Sequence, residues 1–353
     1  MAVENFQTVR GMQDFLPERA AKKQLVEDTC KAVFERYGFD PLETPVVEDF
    51  ALLSKKGSGG EAIKDEIYYF KDKSGRELGL RFDLTVPLAR VVATNKQLAK
   101  PFKRFQIGRV YRYDRPQEKR YREFTQADWD IVGSASTLSD FEAIAIAIDV
   151  MKELGFTEKD FSVEINNRKL LEEIALSCNV PQNKVVECFR CLDKLDKIGV
   201  NEVKKEMQKK GIDTQILGQL QSGGLEKLSL KDNGPLKELE ALFIMLEENG
   251  LDKYASMNLC LARGLEYYTG MVFEVAVKDS PSVGGGGRYD KLVEMYGGSP
   301  NPAVGGSFGI ERLVEALGKK LEAGTNTSIF VAAVGEKTQN RAIELTRQVR
   351  ELD

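Results

Sequence analysis

Residues 102–132 constrain the fold more than any other stretch. Phe105–Tyr113 and Glu123–Val132 read as two strands, with the polar segment Asp114–Arg122 between them. Two strands joined this way pair antiparallel, as a long hairpin with an arginine-rich loop. Side chains alternate across a strand, so Arg112 shares a face with Asp114 on the outgoing strand. Phe124, Gln126, Asp128 and Asp130 share one face of the return strand. Arg115, Lys119, Arg120 and Arg122 lie in the loop. A planar guanidinium forks onto phosphate oxygens, and a flat aromatic can stack on adenine. The competing reading is a solvated hairpin with surface charges. The company of Phe124, Gln126 and Asp130 favours a site.

From Leu16-Pro17, a helical spacing runs through Leu25, Val26, Cys30, Val33, Phe34 and Tyr37 to a stop at Gly38. Residues 39–92 carry strand and turn signals. Leu138–Leu154 predicts a helix capped near Ser139-Asp140. Between about Lys169 and Asn249, Lys, Glu, Leu and Gln dominate and aromatics thin out, which predicts a helical insertion. Strand character returns at Met257–Ala262 and Met271–Val277. The glycine-rich turn Gly284–Gly287 precedes an expected helix from Tyr289, and Ala303–Gly309 precedes another near Ile310. Ile329–Val334 reads as a buried strand and Gln339–Leu352 as a helix. One β-α unit cannot bury both faces of a sheet, so the chain is expected to be C-terminally incomplete. The expected divisions are residues 1–168 with 251–324, an insertion at 169–250, and the start of an α/β domain at 325–353.

Several kinds of chemistry are excluded. The 353 residues, enough for two or three domains, include no histidine. There is therefore no Ser-His-Asp triad, histidine general base or H-E-x-x-H zinc site. The five cysteines form one C-x-x-C, Cys188 and Cys191, with no second pair to complete a zinc site, and a structural role is expected. No P-loop or G-x-G-x-x-G is present, so arginines would have to hold any nucleotide phosphates. The net charge of −4 leaves a nucleic-acid partner to local basic patches. No apolar run approaches the length of a membrane span, and the N-terminus lacks a signal-peptide pattern, so a cytoplasmic location away from the membrane is expected.

Three later segments combine glycine with arginine: Arg263–Gly270, Gly284–Asp290 and Ala303–Leu313. Each alone reads as a turn or a tightly packed strand. Taken in order, the Arg112 and Arg312 segments resemble motifs 2 and 3 of class II aminoacyl-tRNA synthetases. Arg263–Gly270 and Gly286–Asp290 resemble two signatures of the histidyl-tRNA synthetase family. Arg10–Asp14 and Arg81–Thr85 resemble that family in its archaeal and eukaryotic form. Two departures from the family's pattern are Glu266, where Asp is usual, and the remainder of an anticodon-binding domain, which the resemblance leads one to expect after residue 353.

The resemblance implies an α+β fold, an antiparallel sheet flanked by helices, acting as a homodimer. It implies activation of histidine with ATP, accompanied by Mg2+, and transfer to tRNA(His). Arg112 would touch the α-phosphate and the substrate carboxylate, with Arg263 on the opposite side of that phosphate; these two are the expected catalytic residues. Arg120 and Arg312 would clamp the outer phosphates, and Phe124 and Arg312 would sandwich adenine. Asp83, Leu84, Thr85 and Gln126 would hold the amino-group side of histidine. Asp130 and Tyr268, with Tyr267 and Tyr289, would form its side-chain pocket. The same resemblance admits a paralogue that does not charge tRNA, the regulatory subunit of ATP phosphoribosyltransferase in histidine biosynthesis.

Overall fold

The computed structural model describes residues 6–55, 66–113, 121–222, 230–262, 267–318 and 329–351. Helix α1 (Pro17–Arg36) starts on proline, which costs nothing where the first N–H groups have no helical partner. It ends at Tyr37, and Gly38 follows at φ +74°, a left-handed turn that glycine takes without strain. After it come β1 (Asp40–Pro41), β2 (Val47–Asp49), α2 (Phe50–Leu53), β3 (Tyr69–Lys71) and β4 (Glu77–Leu80). Then follow α3 (Thr85–Thr94), β5 (Phe102–Tyr111), β6 (Glu123–Val132), α4 (Thr137–Glu153) and β7 (Phe161–Asn167). A run of helices succeeds: α5 (Arg168–Ser177), α6 (Val185–Leu192), α7 (Leu195–Lys209), α8 (Gln215–Ser222) and α9 (Gly234–Glu248). The chain returns through β8 (Ala255–Met257), β9 (Met271–Val277), β10 (Gly284–Arg288), α10 (Leu292–Met295), β11 (Ala303–Gly309), α11 (Ile310–Leu317) and α12 (Gln339–Arg350).

Eight strands form one sheet in the order β1-β5-β6-β11-β10-β9-β7-β8. Its six inner strands are antiparallel, and only the short edge strands β1 and β8 pair in parallel. The sheet is thus mixed, with helices on it; the antiparallel arrangement that the resemblance implied holds for its six inner strands. Strands β2, β4 and β3 form a second, smaller sheet. The expected hairpin is β5 and β6, in a register that sets Arg104 opposite Asp130 and Gly108 opposite Gln126.

That register divides the two faces. Ala127, Trp129 and Ile131 point to the core under α1, α4 and α11. There the Trp129 ring lies 5.5 Å from Phe34 and 5.1 Å from Phe308, centre to centre. Gly306 is paired with Trp129 because a β-carbon there would run into the indole. Helices α5 to α9 are continuous with this core, α9 packing on α4 and β7.

Some expectations fail for local reasons. The strand expected over Met257–Ala262 ends at Met257, because the Asn258 side chain accepts from the Cys260 N–H at 2.9 Å and turns the chain. The helix after Tyr289 is a single turn, closed by Gly297 and Gly298. Helix α4 is capped by Ser136, whose hydroxyl accepts from the Leu138 N–H at 3.2 Å. Asp140 lies inside it and pairs with Arg288 instead. Ile329–Val334 is neither a strand nor buried: Ile329, Phe330 and Val334 are 60%, 86% and 88% exposed. No strand among the described residues lies beside it to supply ladder hydrogen bonds. Helix α12 follows as expected, with no buried residue.

Candidate active site

The even-numbered face of β6 floors a cavity of about 910 Å³. Gln126, Asp130 and Phe124 rise from β6, Arg112 from the end of β5, and Asp83 and Thr85 from the mouth of α3. Tyr267, Tyr268 and Tyr289 close one end, and Arg312 stands at the first turn of α11. The structure thus brings ten of the expected residues to one cavity. Leu84 does not line it; its side chain is fully buried and its carbonyl accepts from Arg104 Nη2 at 3.2 Å. Arg120 and Arg263 lie outside the described residues.

The glycine strands make the cavity possible. Gly305 sits opposite Asp130, and a β-carbon there would collide with the Asp130 carboxylate. Its neighbour across the next ladder is Gly287, so two bare backbones lie side by side next to the carboxylate. Arg288, in the second signature, serves the frame. It donates to Asp140 and to the Ser134 and Ser136 carbonyls, tying β10 to the start of α4. Glu311 plays a similar part for α11, accepting from the Thr125 N–H at 2.9 Å and so seating Arg312 beside β6.

Three buried carboxyls converge beneath the cavity. Asp83 accepts from the Val86 N–H at 3.0 Å at the start of α3. Burial nevertheless pushes its carboxyl up to about 6, against the pull of that bond, Arg112 and Arg104. Burial pushes Asp128 up to about 7, opposed by Arg104. Asp130 is also raised by burial, and held down by Arg104 and by the Tyr289 hydroxyl that donates to it. The same burial lifts the Tyr267 and Tyr289 phenols well above their ordinary value, so both are neutral hydroxyls. Arg104 Nη2 lies 2.6 Å from Asp130 Oδ2, with both side chains almost wholly buried.

The polar groups are not all used up. Gln126 Nε2 donates to Ser307 Oγ at 2.8 Å. Gln126 Oε1 and Asp128 Oδ1 are buried without a donor among the described residues, and Asp130 Oδ2 has the Arg104 ion pair. Native proteins seldom leave such acceptors unpaired. Acceptors gathered on one strand face suit a ligand that brings N–H groups. Across the cavity the charge is opposite: Arg112 donates to the Phe82 carbonyl at 3.0 Å and lies 5.2 Å over the Phe124 ring, while Arg312 donates to the Ser282 carbonyl at 2.9 Å. The arrangement can bind a cation at one end and an anion with a flat ring at the other.

Arg104 and Asp128 were not among the expected site residues. Part of the signal is in the hairpin, since Arg104 has the parity of Arg112, but only the observed register sets it against Asp130. The cysteines behave as expected for packing; Cys188 and Cys191 are buried on α6, and burial pushes the Cys188 thiol up to about 12.

A family model described as histidyl-tRNA synthetase matches residues 11–313. A histidine–tRNA ligase 1 of Bacillus cereus is 37% identical over 359 residues, covering 97% of this chain and 83% of its own. The histidyl-tRNA synthetase of Nostoc sp. PCC 7120 has a TM-score of 0.81 and 32% identity, covering 98% of this chain and 84% of that one. A Bacillus halodurans C protein, described as an ATP phosphoribosyltransferase regulatory subunit/histidyl-tRNA synthetase, has a TM-score of 0.81 and 25% identity, covering 98% and 90%.

Proposed function

The chain belongs to the histidyl-tRNA synthetase family, and on that premise we propose that it activates histidine with ATP and transfers it to tRNA(His). One observation carries this best. Gln126, whose buried Oε1 has no donor among the described residues, and the buried Asp130 carboxylate line one cavity together with Arg112, Phe124 and Arg312.

The substrate ammonium is received by Asp83, Thr85 and Gln126. Asp130 accepts one imidazole N–H, and a tyrosine hydroxyl serves the other nitrogen. A pocket built on such bonds rejects analogues that leave its polar groups unpaired. The substrate carboxylate, already ionised, attacks the α-phosphorus in line, and pyrophosphate leaves. Arg112 on one side and Arg263 on the other stabilise the charge that gathers on the non-bridging oxygens. Arg120 and Arg312 hold the outer phosphates, and adenine lies between Phe124 and Arg312. No side chain has to take a proton in this step, which suits a chain without histidine. The terminal ribose hydroxyl of the tRNA then attacks the acyl carbon, and AMP leaves.

Among the described residues no group of three or more His, Cys, Asp or Glu side chains could cage a metal. A magnesium ion would be held together with the nucleotide phosphates, where it would neutralise their charge. We take residues 1–168 and 251–324 as the catalytic domain, 169–250 as a helical insertion and 325–353 as the start of an anticodon-binding domain. A cytoplasmic homodimer completes the reading. No helix among the described residues is long and apolar enough to cross a membrane.

Pyrophosphate exchange across the twenty amino acids tests the proposal: histidine alone should support it. The Bacillus halodurans protein's description motivates a second reading, a regulatory subunit of ATP phosphoribosyltransferase. Arg112 and Arg312 on the cavity wall favour catalysis. Absence of tRNA charging, together with activation of that transferase, would reverse the preference.

A further inference from the structure

Among the described residues, one fully buried guanidinium beneath the cavity has no part in the chemistry above. Arg104 is 0% exposed on β5, directly opposite Asp130. It reaches two elements at once: Nη2 is 2.6 Å from Asp130 Oδ2 and 3.2 Å from the Leu84 carbonyl. Leu84 lies between Asp83 and Thr85, the two residues assigned to the substrate ammonium. Asp130 is the residue assigned to the side chain.

We propose that Arg104 is a positioning residue of the amino-acid pocket, which sets the separation between the Asp130 carboxylate and the Asp83–Thr85 turn and keeps Asp130 ionised. The inference rests on the synthetase reading and adds to it a residue that touches neither substrate. Its geometry matches the task. Both contacts come from the one nitrogen Nη2, whose two N–H groups are fixed in the guanidinium plane, so it can hold a carboxylate and a carbonyl in a set relation; Nε and Nη1 are buried without a hydrogen-bond partner among the described residues. A lysine ammonium carries the charge on a rotating head without those fixed in-plane directions. Charge balance points the same way. Asp130 faces Asp128 on its own strand, Asp83 from the turn before α3, neutral Tyr289 from the turn after β10, and the uncharged Gly305 and Ser307 on β11. Arg104 is the cation that lowers both Asp128 and Asp130. Without it, a buried carboxylate among other carboxyls takes up a proton, and a protonated Asp130 loses an acceptor for the imidazole N–H.

The test is histidine-dependent pyrophosphate exchange by Arg104→Lys and Arg104→Met, with the whole chain. Both variants should raise the KM for histidine by about tenfold or more and leave the KM for ATP within about threefold, because only the amino-acid end loses its spacing. The fall in kcat should be smaller than the rise in KM. Arg104→Met should also lose kcat/KM for histidine with falling pH from a higher pH than wild type. Arg104→Lys, which keeps the charge, should stay near the wild-type profile. If Arg104→Met fails to fold, the KM split of Arg104→Lys decides. Variants that melt like wild type and keep its KM for histidine, or that weaken histidine and ATP equally, overturn the inference. A wild type that shows no histidine-dependent exchange sinks the synthetase reading first and this inference with it.

Discussion

Asp130 concentrates most of what the site does at the scale of one residue. It is buried, lies beside a guanidinium, accepts from a tyrosine hydroxyl and has a glycine opposite to make room. Removing its carboxylate takes away the acceptor for the ligand side chain and leaves Arg104 buried without its counter-ion. Asp130→Ala should therefore weaken histidine binding at least about thirtyfold, while ATP binding stays within about threefold. Calorimetric titration of each ligand checks it, and equal losses would remove Asp130 from the pocket. Its neighbour Asp128 makes a different prediction. Burial raises that carboxyl from 3.8 to about 7, so between those values the native state holds a proton that the unfolded chain has released. Stability on this account falls as pH rises from about 4 through 7. Asp128→Asn should raise the melting temperature above pH 7, by a few degrees, and the gain should shrink as pH drops towards 4. Melting curves from pH 5 to 8.5 decide the point; a gain that does not change with pH contradicts it. Arg263 is expected to act mostly as the α-phosphorus becomes pentacovalent. Arg263→Ala should cost adenylation roughly a hundredfold in rate and transfer from preformed adenylate much less. Single-turnover rates of the two half-reactions separate this from a surface arginine.

The hairpin β5–β6 shows how far a sequence can be read at the scale of an element. Its two strands, the shared face of Phe124, Gln126, Asp128 and Asp130, and the helices α1, α4 and α11 follow from periodicity, capping residues and glycine stops. The glycines at 284–287 and 305–309 were harder, since their meaning lies in what stands opposite. Gly306 is bare because Trp129 occupies the space, and Gly305 because Asp130 does. Neither partner is near in sequence. Arg104 is hidden for the same reason: alone it is a charged residue on a strand, and only the register sets it under Asp130. Ile329–Val334 erred the other way. Its composition suits a buried strand, but a strand also needs a neighbour to pair with, and none lies beside it among the described residues. The glycine argument has a sharp test. Gly306→Ala places a methyl group against the Trp129 ring in a closely packed core, which should destabilise the fold by about 1–3 kcal/mol. Gly297→Ala is no fair control, since Gly297 needs φ +83°, whereas Gly218 meets no atom within 4 Å and keeps a negative φ. Denaturant melts of Gly306→Ala and Gly218→Ala should therefore diverge; similar midpoints would refute the close fit.

Over the whole molecule, the sheet, α1, α4 and the helices α5 to α9 share one continuous apolar core, whereas 329–351 stands outside it. Ending the chain at Gly318 removes no buried apolar residue among those described. The melting temperature and the rate of histidine-dependent pyrophosphate exchange should both stay within about a factor of two, or a few degrees, of the intact chain. Loss of exchange on that truncation would show that the amino-acid site depends on the C-terminal segment. The cavity itself has one further consequence. Its walls offer carboxyl, amide, phenol, hydroxyl and guanidinium groups, and the chain holds no imidazole anywhere. A histidine labelled with nitrogen-15 and bound there would be the sole source of imidazole resonances in the spectrum. The shifts of its two ring nitrogens would report directly which one carries the proton, and at what pH the second proton leaves, without background from the protein. Tautomer, a quantity usually assigned from neighbouring atoms, becomes in this chain something a magnet can read.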